Sequence, residues 1–372
     1  MKKYKLGDIC EITSGSTPKT GVSEYWDGNI KWITPAELND DTYIITDSVR
    51  KITELAVKQT GLSPIPKGTV ILSSRAPIGK VAIAGCEMYC NQGFKNLICS
   101  EKIDNRYLYW FLKGSTEFLN SLGRGATFKE ISKSIVASIE INVPDLKEQL
   151  VVVENLEKIN RIITLRRKEL NELDNLIRAR FVEMFGDPVS NSYGLPEATL
   201  PELGKFGRGV SKHRPRNDPR LLDGEYPLVQ TGDVANASLY ITSYNSTYSE
   251  LGLKQSKMWS KGTLCITIAA NIAKTAILEF DACFPDSVVG FIANEKTNNI
   301  FIHYWFSFFQ AILESQAPES AQKNINLKIL SELKVIVPEK EKQNEFVDFV
   351  HQVDKSKLQY HPHTHTCQPN TS

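Results

Sequence analysis

Basic side chains in proline-containing segments are the residues of this chain best suited to contact a charged ligand. Segment 207–220, GRGVSKHRPRNDPR, carries five Lys and Arg residues against a single acid, Asp218. Its prolines exclude a helix, so we predict an extended basic loop. Such a loop suits contact with phosphates, and Arg can also pair with the edge of guanine. An ordinary solvated loop is the alternative interpretation.

Further candidates lie in the N-terminal half of the chain. Segment 14–38 mixes polar, basic and aromatic residues, and segment 73–80, SSRAPIGK, places Arg75 and Lys80 on either side of a predicted tight turn. A plain surface role for these two remains open. The complete set for which we predict nucleic-acid contact, mostly to phosphate, is Thr17, Lys19, Trp32, Arg75, Lys80, Lys95, Lys129, Arg208, Lys212, Arg214, Arg216, Lys274 and Lys323.

The sequence offers no motif for catalysis. There is no GxxxxGK[ST] loop for a nucleoside triphosphate and no GxGxxG after a strand. Cys86, Cys90 and Cys99 are not matched by cysteines in the second half of the chain, which disfavours a structural metal there. The tail from 359 to 372 has possible ligands in its histidines and Cys367, but its polar, proline-containing composition favours disorder. We therefore predict no catalytic residue, no metal site and no cofactor.

A duplication organises these candidates. Pro144 and Pro338 lie 194 positions apart, and the same offset relates 67–69 (KGT) to 261–263, Lys80 to Lys274, and Gly15 to Gly209. Solenoid repeats are roughly 20–50 residues long, so this unit is a whole domain. Short β-branched runs at 70–73 and 80–84 return at 263–268 and 274–278, and helical patterns cover 105–122 and 299–315. The fold class predicted for each copy is α+β.

Composition agrees with two packed domains. The 372 residues are 41% hydrophobic and carry a net charge of +1. Residues 1–144 sum to +3 and 199–337 to +1, whereas the connecting segments are negative, which permits DNA binding on a local face. No apolar run approaches the roughly 20 residues of a membrane span, and no signal core follows the N-terminus. Seven cysteines, an odd number, suggest reduced thiols. We predict a cytoplasmic protein without a membrane partner.

The segment 145–185 between the copies contains no Gly or Pro and ends at Gly186. A heptad pattern predicts a coiled-coil helix of roughly 60 Å, with a helix buried against its own domain as the alternative. The equivalent segment of the second copy keeps the pattern to Val353 and loses it at Lys357, so we predict a short antiparallel partner. On that basis Leu170, Leu173 and Ile177 are expected to lack a partner. The predicted seam residues are Leu156, Ile159, Ile163, Leu170, Leu173, Ile177, Met184, Phe346, Val350 and Val353.

Taken together, these segments resemble the specificity (S) subunit of bacterial type I restriction-modification systems. The resemblance rests on STPKTGVSEYWDGNIKWIT, LSSRAPIGKVAIAG, NVPDLKEQ and LDNLIRARFVEMFGDP in the first copy and connector, and on HRPRNDPRLLDGEYPLVQTGDV and QKNINLKILSELKVIVP in the second. It implies two target recognition domains, 1–144 and 187–337. It also implies a central helix at 145–186 and a distal helix at 338–358, followed by a disordered tail at 359–372.

The resemblance implies that each domain reads one half of a split DNA site, and that the helices space the domains and dock methyltransferase (M) subunits. Restriction (R) subunits join the full complex. The chain would be non-catalytic, because S-adenosylmethionine, ATP and Mg²⁺ belong to the partner subunits. The short distal helix departs from the family pattern. Two other functions stay open: a fragment of a single-chain restriction or methyltransferase enzyme, and a two-headed protein-interaction scaffold.

Overall fold

The computed structural model describes residues 1–125, 129–269, 271–316 and 325–358. The chain divides into two compact units, Met1–Arg166 and Arg167–Ser372. Both units mix short strands with helices, which confirms the predicted α+β class. The predicted disorder of 359–372 falls on residues outside the described ranges. Among the described residues, no helix has both the length and the apolar content that a bilayer crossing requires.

The described residues of the first unit form ten strands and five complete helices, and a sixth helix begins in this unit. The strands are β1 (Lys2–Lys5), β2 (Cys10–Ser14), β3 (Trp26–Ile33), β4 (Ile44–Ile45), β5 (Lys51–Ile52), β6 (Val70–Ser73), β7 (Val81–Ala84), β8 (Tyr89–Cys90), β9 (Phe94–Cys99) and β10 (Glu140–Val143). The helices are α1 (Leu6–Ile9), α2 (Glu54–Thr60), α3 (Asn105–Gly114), α4 (Thr116–Leu122), α5 (Lys133–Ser138) and α6 (Leu146–Phe185).

The described part of the second unit repeats this arrangement. Its strands are β11 (Glu197–Thr199), β12 (Gly204–Arg208), β13 (Leu222–Leu228), β14 (Tyr240–Ile241), β15 (Ser246–Tyr248), β16 (Met258–Trp259), β17 (Leu264–Thr267), β18 (Thr275–Leu278), β19 (Ala282–Cys283), β20 (Val288–Ala293) and β21 (Lys334–Ile336). Its helices are α7 (Leu200–Leu203), α8 (Thr231–Asn236), α9 (Glu250–Lys254), α10 (Asn299–Gln316), α11 (Leu327–Glu332) and α12 (Lys340–Leu358).

Sheet order shows the duplication directly. The five-stranded sheet of the first unit runs β2-β9-β6-β7-β4, and that of the second runs β12-β20-β17-β18-β14. A smaller sheet, β5-β3-β8, corresponds to β15-β13-β19, to which the second unit adds β16. A two-stranded ribbon closes each unit, β1 with β10 and β11 with β21. The two copies therefore share one topology, as the 194-residue offset predicts.

A buried glutamine attaches the helix that follows each copy. The Gln149 side chain is fully buried, donates to the carbonyl oxygens of Lys102 (3.0 Å) and Pro144 (2.9 Å), and accepts from the Asp104 amide at 2.8 Å. It thereby ties the start of α6 to the loop before α3. Because a buried amide side chain without partners is costly, this position requires all three bonds.

The second copy has the same attachment at Gln343, 194 positions later. Its side chain donates to Lys296 (3.0 Å) and Pro338 (2.8 Å) and accepts from the Thr297 hydroxyl at 3.0 Å. It is also fully buried. The duplicated glutamine was present in the sequence as the last residue of NVPDLKEQ and PEKEKQ, but its role follows only from these contacts.

The second half of α6 packs against α12 in the second unit. Arg180 reaches Glu345 at 3.1 Å near the start of α12, and Asp174 binds Lys357 at 2.7 Å near its end. These contacts make the two helices antiparallel, as predicted. Ile177, Phe346, Val350 and Val353 lie in one buried cluster, with Leu173 and Met184 packed against it.

The expectation that Leu173 and Ile177 lack a partner is therefore wrong. In an antiparallel pair, a second helix that ends early leaves uncovered the beginning of the first helix rather than its end. The side chains of Ile159 and Ile163 are 54% and 45% exposed, and Leu156 is half-buried. Phe181 and Phe185, which lie outside the predicted seam, also contact Phe346, with ring centroids 5.3 and 5.8 Å away.

We predict that Gln343→Ala lowers the free energy of unfolding of the second unit by about 2–4 kcal/mol, because two buried carbonyl groups and one hydroxyl lose their partner. Urea unfolding monitored by tryptophan fluorescence measures the change. Gln352→Ala, on the exposed face of the same helix, is the matched control and should change stability by less than about 0.5 kcal/mol. Equal effects of the two variants would contradict a special role for Gln343.

A second prediction concerns pH. Burial lowers the pKa of His303 from 6.5 to about 4, and its Nδ1 lies 2.9 Å from the Thr275 hydroxyl. Between these pH values the unfolded chain binds a proton that the folded chain excludes, so stability should fall as pH drops from 6.5 towards 4. The loss should reach at most about 3 kcal/mol. Denaturant titrations at several pH values should show a weaker loss in His303→Gln and an unchanged loss in the control His351→Gln.

Candidate nucleic-acid interface

The basic loop of the second unit follows β12 and is irregular up to a 3₁₀ turn at Pro219–Leu221. Hydrogen bonds from a distant segment hold the backbone of this loop. The amides of Lys212 and His213 donate to Oε1 of Gln255 at 2.6 and 3.0 Å. The Ser256 hydroxyl donates to the Val210 carbonyl at 2.7 Å. The segment after α9 therefore holds the loop in one conformation while the side chain of Lys212 stays exposed.

Two arginines of this loop converge on one carboxylate. Arg214 lies 3.5 Å from Asp286, and Arg216 makes a short contact to the other carboxylate oxygen. Arg214 also donates to the backbone carbonyl of Ser211 at 2.6 Å. Both side chains remain about half exposed, at 55% and 46%. The loop thus presents two oriented guanidinium groups, although Asp286, 70 residues further along the chain, offered no local sequence signal.

Asp218 closes the loop. It lies 3.0 Å from Nε2 of His213 and 2.7 Å from Nη2 of Arg220. Hydrogen bonds from Arg220, and then from His213, hold the pKa of Asp218 well below its usual range. The carboxylate is therefore ionised at neutral pH, so the loop keeps this internal ion pair and Arg220 is engaged within the loop.

A cleft of about 270 Å³ opens beside the loop. Its lining includes Ser211, Arg216, Asn217, Gln230, Thr231 and Ser246. The Gln230 amide nitrogen donates to the Ser246 hydroxyl at 3.0 Å, so part of this wall is already fixed. The cleft offers both hydrogen-bond donors and acceptors next to a cationic side chain, which are the groups that recognise the edges of bases.

The remaining candidates of the second unit differ in accessibility. Arg208 is exposed in β12, opposite Val289. Lys274 is only partly exposed, at the end of the turn between β17 and β18. Lys323 lies outside the described residues. Gln255 and Asp286 are the residues that sequence reasoning missed, because the fold brings them to the loop from distant segments.

In the first unit, Arg75 and Lys95 share Glu130. Arg75 Nε lies 2.9 Å from one carboxylate oxygen and Lys95 Nζ 3.3 Å from the other. Burial alone would raise the pKa of Glu130, but hydrogen bonds from Arg75 and Lys95 keep this pKa below its usual value. Arg75 is 46% exposed, whereas Lys95 is buried, at 5%. The contact predicted for Lys95 is therefore corrected to a structural ion pair, because its ammonium group faces inward.

Lys80 also binds within its own unit. Its ammonium group donates to the Leu38 carbonyl at 2.5 Å, and the side chain is only partly exposed. Lys129 and Lys19 are exposed. The Thr17 hydroxyl donates to the side-chain oxygen of Gln92. Of these four, Lys19 and Lys129 are the ones most accessible to a ligand.

Trp32 is a core residue. It is 2% exposed, its indole nitrogen donates to the Ser16 carbonyl at 3.0 Å, and its ring meets Trp26 edge-on at 5.1 Å. Its predicted role in contact with nucleic acid is corrected accordingly. Arg50 is instead the accessible group here: it is exposed, and its guanidinium lies 3.8 Å from the Trp26 ring centroid. Alternation along β3 could have indicated that Trp32 points inward.

The described part of the chain contains no group of three or more His, Cys, Asp or Glu side chains placed to hold a metal ion. The histidines and Cys367 of the tail lie outside those residues.

Comparison with known proteins agrees with the duplicated fold. The family model described as type I restriction modification DNA specificity domain matches residues 1–175 and 197–363. The chain is 40% identical over 186 residues to the type I restriction enzyme MjaIX specificity subunit of Methanocaldococcus jannaschii, covering 49% of this chain and 43% of that protein. It is 29% identical over 164 residues to the EcoR124I/EcoR124II specificity subunit of Escherichia coli, covering 42% and 40%. The matched segments thus span less than half of these relatives.

Solved structures show the same fold. The S subunit of a type I restriction-modification system from M. genitalium aligns with a TM-score of 0.53 at 16% identity, over 96% of this chain and 90% of that one. A chain from a study of assembly and conformational transition of the type I system aligns with a TM-score of 0.53 at 17% identity, over 96% and 91%. Because the family model covers both copies, this chain belongs to the type I restriction-modification DNA specificity family.

Proposed function

We propose that this chain is a non-catalytic sequence-reading subunit in which each unit contacts one half of a split double-stranded DNA site. The main support for the proposal is that the two units share one topology but carry different side chains on equivalent loops. Arg75 of the first unit, for example, corresponds by the 194 offset to Ala269. A repeated scaffold with divergent loops is suited to two readings of different sequence.

The second unit supplies the more complete candidate for base reading. Asp286 orients Arg214 and Arg216, and a polar cleft adjoins Arg216. An oriented, half-exposed guanidinium can form two hydrogen bonds to guanine, whereas a free lysine mainly contacts phosphate. We assign Lys212 and Arg208 to phosphate contact and the arginine pair to base contact.

The exposed part of α6 is the proposed docking surface for methyltransferase subunits. Val152, Ile159 and Ile163 are exposed on the same side of the helix as half-buried Leu156. An apolar stripe on a helix marks a protein contact. Catalysis, with S-adenosylmethionine, ATP and Mg²⁺, would belong to the M and R subunits of the complex. Action on cellular DNA would place the chain in the cytoplasm.

Replacing Arg214 and Arg216 together by Ala should weaken binding of a cognate duplex by about 1–3 kcal/mol and lower the slope of log affinity against log salt by up to about 2. Fluorescence anisotropy at several salt concentrations measures both quantities. Lys328→Ala with Lys342→Ala removes the same charge from exposed helix positions and is the matched control. Unchanged affinity in the arginine variant would remove this loop from the interface.

Asp286→Asn separates orientation from charge. It frees both guanidinium groups and removes one negative charge, so affinity for unrelated DNA should rise. If the pair reads bases, discrimination between cognate and unrelated duplexes should fall at the same time. Equal gains for both duplexes, with discrimination preserved, would assign the arginines to phosphate contact alone.

The docking surface can be tested with two pairs of substitutions on α6. Ile159→Glu with Ile163→Glu should weaken capture of the methyltransferase subunit by at least about 2 kcal/mol, since two apolar contacts are lost. Val151→Glu with Leu165→Glu changes equally exposed residues about 120° around the helix and is the control. Isothermal titration calorimetry with the purified subunit measures both. Equal losses in the two variants would show that the stripe is not a specific surface.

The salt dependence of binding distinguishes a DNA-binding subunit from a two-headed protein-interaction scaffold. Affinity for DNA falls steeply as the salt concentration rises, whereas the affinity of an apolar protein contact changes little. Methylome sequencing of cells that carry this chain with its methyltransferase tests the whole proposal. A split adenine-methylated motif is the expected result. A methylome unchanged by deletion of the chain would contradict it.

A further inference from the structure

Two cysteines of the first unit face each other across neighbouring strands. Cys10, the first residue of β2, and Cys99, the last residue of β9, are partners in the antiparallel register. The Ser100 amide donates to the Ile9 carbonyl at 2.9 Å, and this bond flanks the cysteine pair. The pair therefore occupies a non-hydrogen-bonded site, the kind at which opposed side chains approach most closely.

This geometry is compatible with a disulfide. At such a site the Cα atoms are about 4.5 Å apart, within the range that a disulfide spans. Cys10 is nearly buried, at 6% exposed, whereas Cys99 is partly exposed at the edge of the same apolar cluster. A reagent from solvent can therefore reach Cys99 first, and Cys10 lies behind it.

The cysteine pair is not repeated at the equivalent position of the second unit. The equivalent register pair of the second unit is Gly204 with Ala293, which carries no thiol. Among the other cysteines in described strands, Cys90 pairs with Ile33, Cys265 pairs with Ala276 and Gly290, and Cys283 pairs with Leu228 and Met258. Cys10 and Cys99 are thus the described cysteines that the sheet register places opposite each other.

We propose that Cys10 and Cys99 are an oxidative modification site, a cross-strand dithiol that small disulfides such as oxidised glutathione convert to an intramolecular disulfide. Cys99 loses its proton and attacks one sulfur of oxidised glutathione, which forms a mixed disulfide and releases one reduced glutathione. Cys10 then loses its proton and attacks the Cys99 sulfur, which releases the second reduced glutathione. The two protein thiols give up two electrons and two protons, and one glutathione disulfide becomes two thiols.

The pKa of the attacking thiol controls how fast this disulfide forms. A hydrogen bond with Cys10, together with burial, raises the pKa of Cys99 well above the ordinary value for a thiol. Because only the thiolate attacks, reaction should be slow at neutral pH and faster as pH rises. Cys10 begins β2, and the loop with Thr17 and Lys19 follows the other end of that strand. The disulfide should therefore stabilise the first unit without blocking its candidate DNA-contact residues.

In the test, the 372-residue chain is treated with oxidised glutathione at pH 7 and pH 9, and the products are followed by intact mass and peptide mapping. The expected product has lost two hydrogens and gives one linked peptide pair containing Cys10 and Cys99, formed faster at pH 9. Its unfolding midpoint should rise by about 5 °C or more, and a reductant should reverse the shift. Affinity for DNA should change by less than about twofold, so the result is independent of the DNA-binding proposal.

Cys99→Ser, at the partly exposed position, should abolish the linked peptide and the shift in unfolding midpoint, and Cys265→Ala should retain both. Cys10→Ser gives the second readout: Cys99 should then hold a stable glutathione adduct because no resolving thiol is present. A persistent adduct at Cys99 in the unmodified sequence, or a linkage that does not join these two residues, would overturn the proposal.

Discussion

The arrangement of each unit depends on the hydrogen bonds of one buried glutamine. This glutamine lies at the start of α6 in the first copy and at the start of α12 in the second. Gln149 and Gln343 each bind the loop that precedes a helix of their own unit and the proline carbonyl that ends the preceding strand segment. An amide side chain satisfies both donors and an acceptor at once, which an apolar residue cannot do. Each long helix therefore leaves its sheet at a defined point.

The same scaffold then tolerates different loops. The five-stranded sheets agree in strand order and in register, yet the turns at their ends differ in charge and in partner. Glu130 forms ion pairs with both Arg75 and Lys95 in the first unit, whereas Asp286 orients two arginines in the second. Strand order and register are thus common to both copies, whereas the charged side chains at the turns are specific to each copy. This division is what a protein needs if its two halves are to recognise unlike partners.

The repeat, the strand at 70–73, the strand predicted at 80–84 and found at 81–84, and the bounds of α6 followed from the sequence, because turn residues, caps and alternation are local signals. Both termini of α6 lie where the sequence predicts them. Asp145 caps the start, where its side chain accepts a hydrogen bond from the Glu148 amide at 2.9 Å, and Gly186 follows the last helical residue with a positive φ of 75°. Burial of Lys95 did not follow, because the ammonium group of Lys95 is covered through its contact with Glu130, which lies 35 residues further along the chain. Nor did the pairing of Arg216 with Asp286, since no local pattern links residues 70 positions apart.

The unit boundary within α6 also determines which segment would have to be transferred to move the second unit intact into another protein. Ile177, Phe181 and Phe185 belong to the apolar core of the second unit although they precede its first strand. A recombinant gene joined at residue 187 would supply that core with a foreign helix end, whereas a crossover near residue 166 would transfer the three side chains with the sheet they fill. The segment that carries the complete core of the second unit is therefore longer than residues 187–337, because it includes the second half of α6.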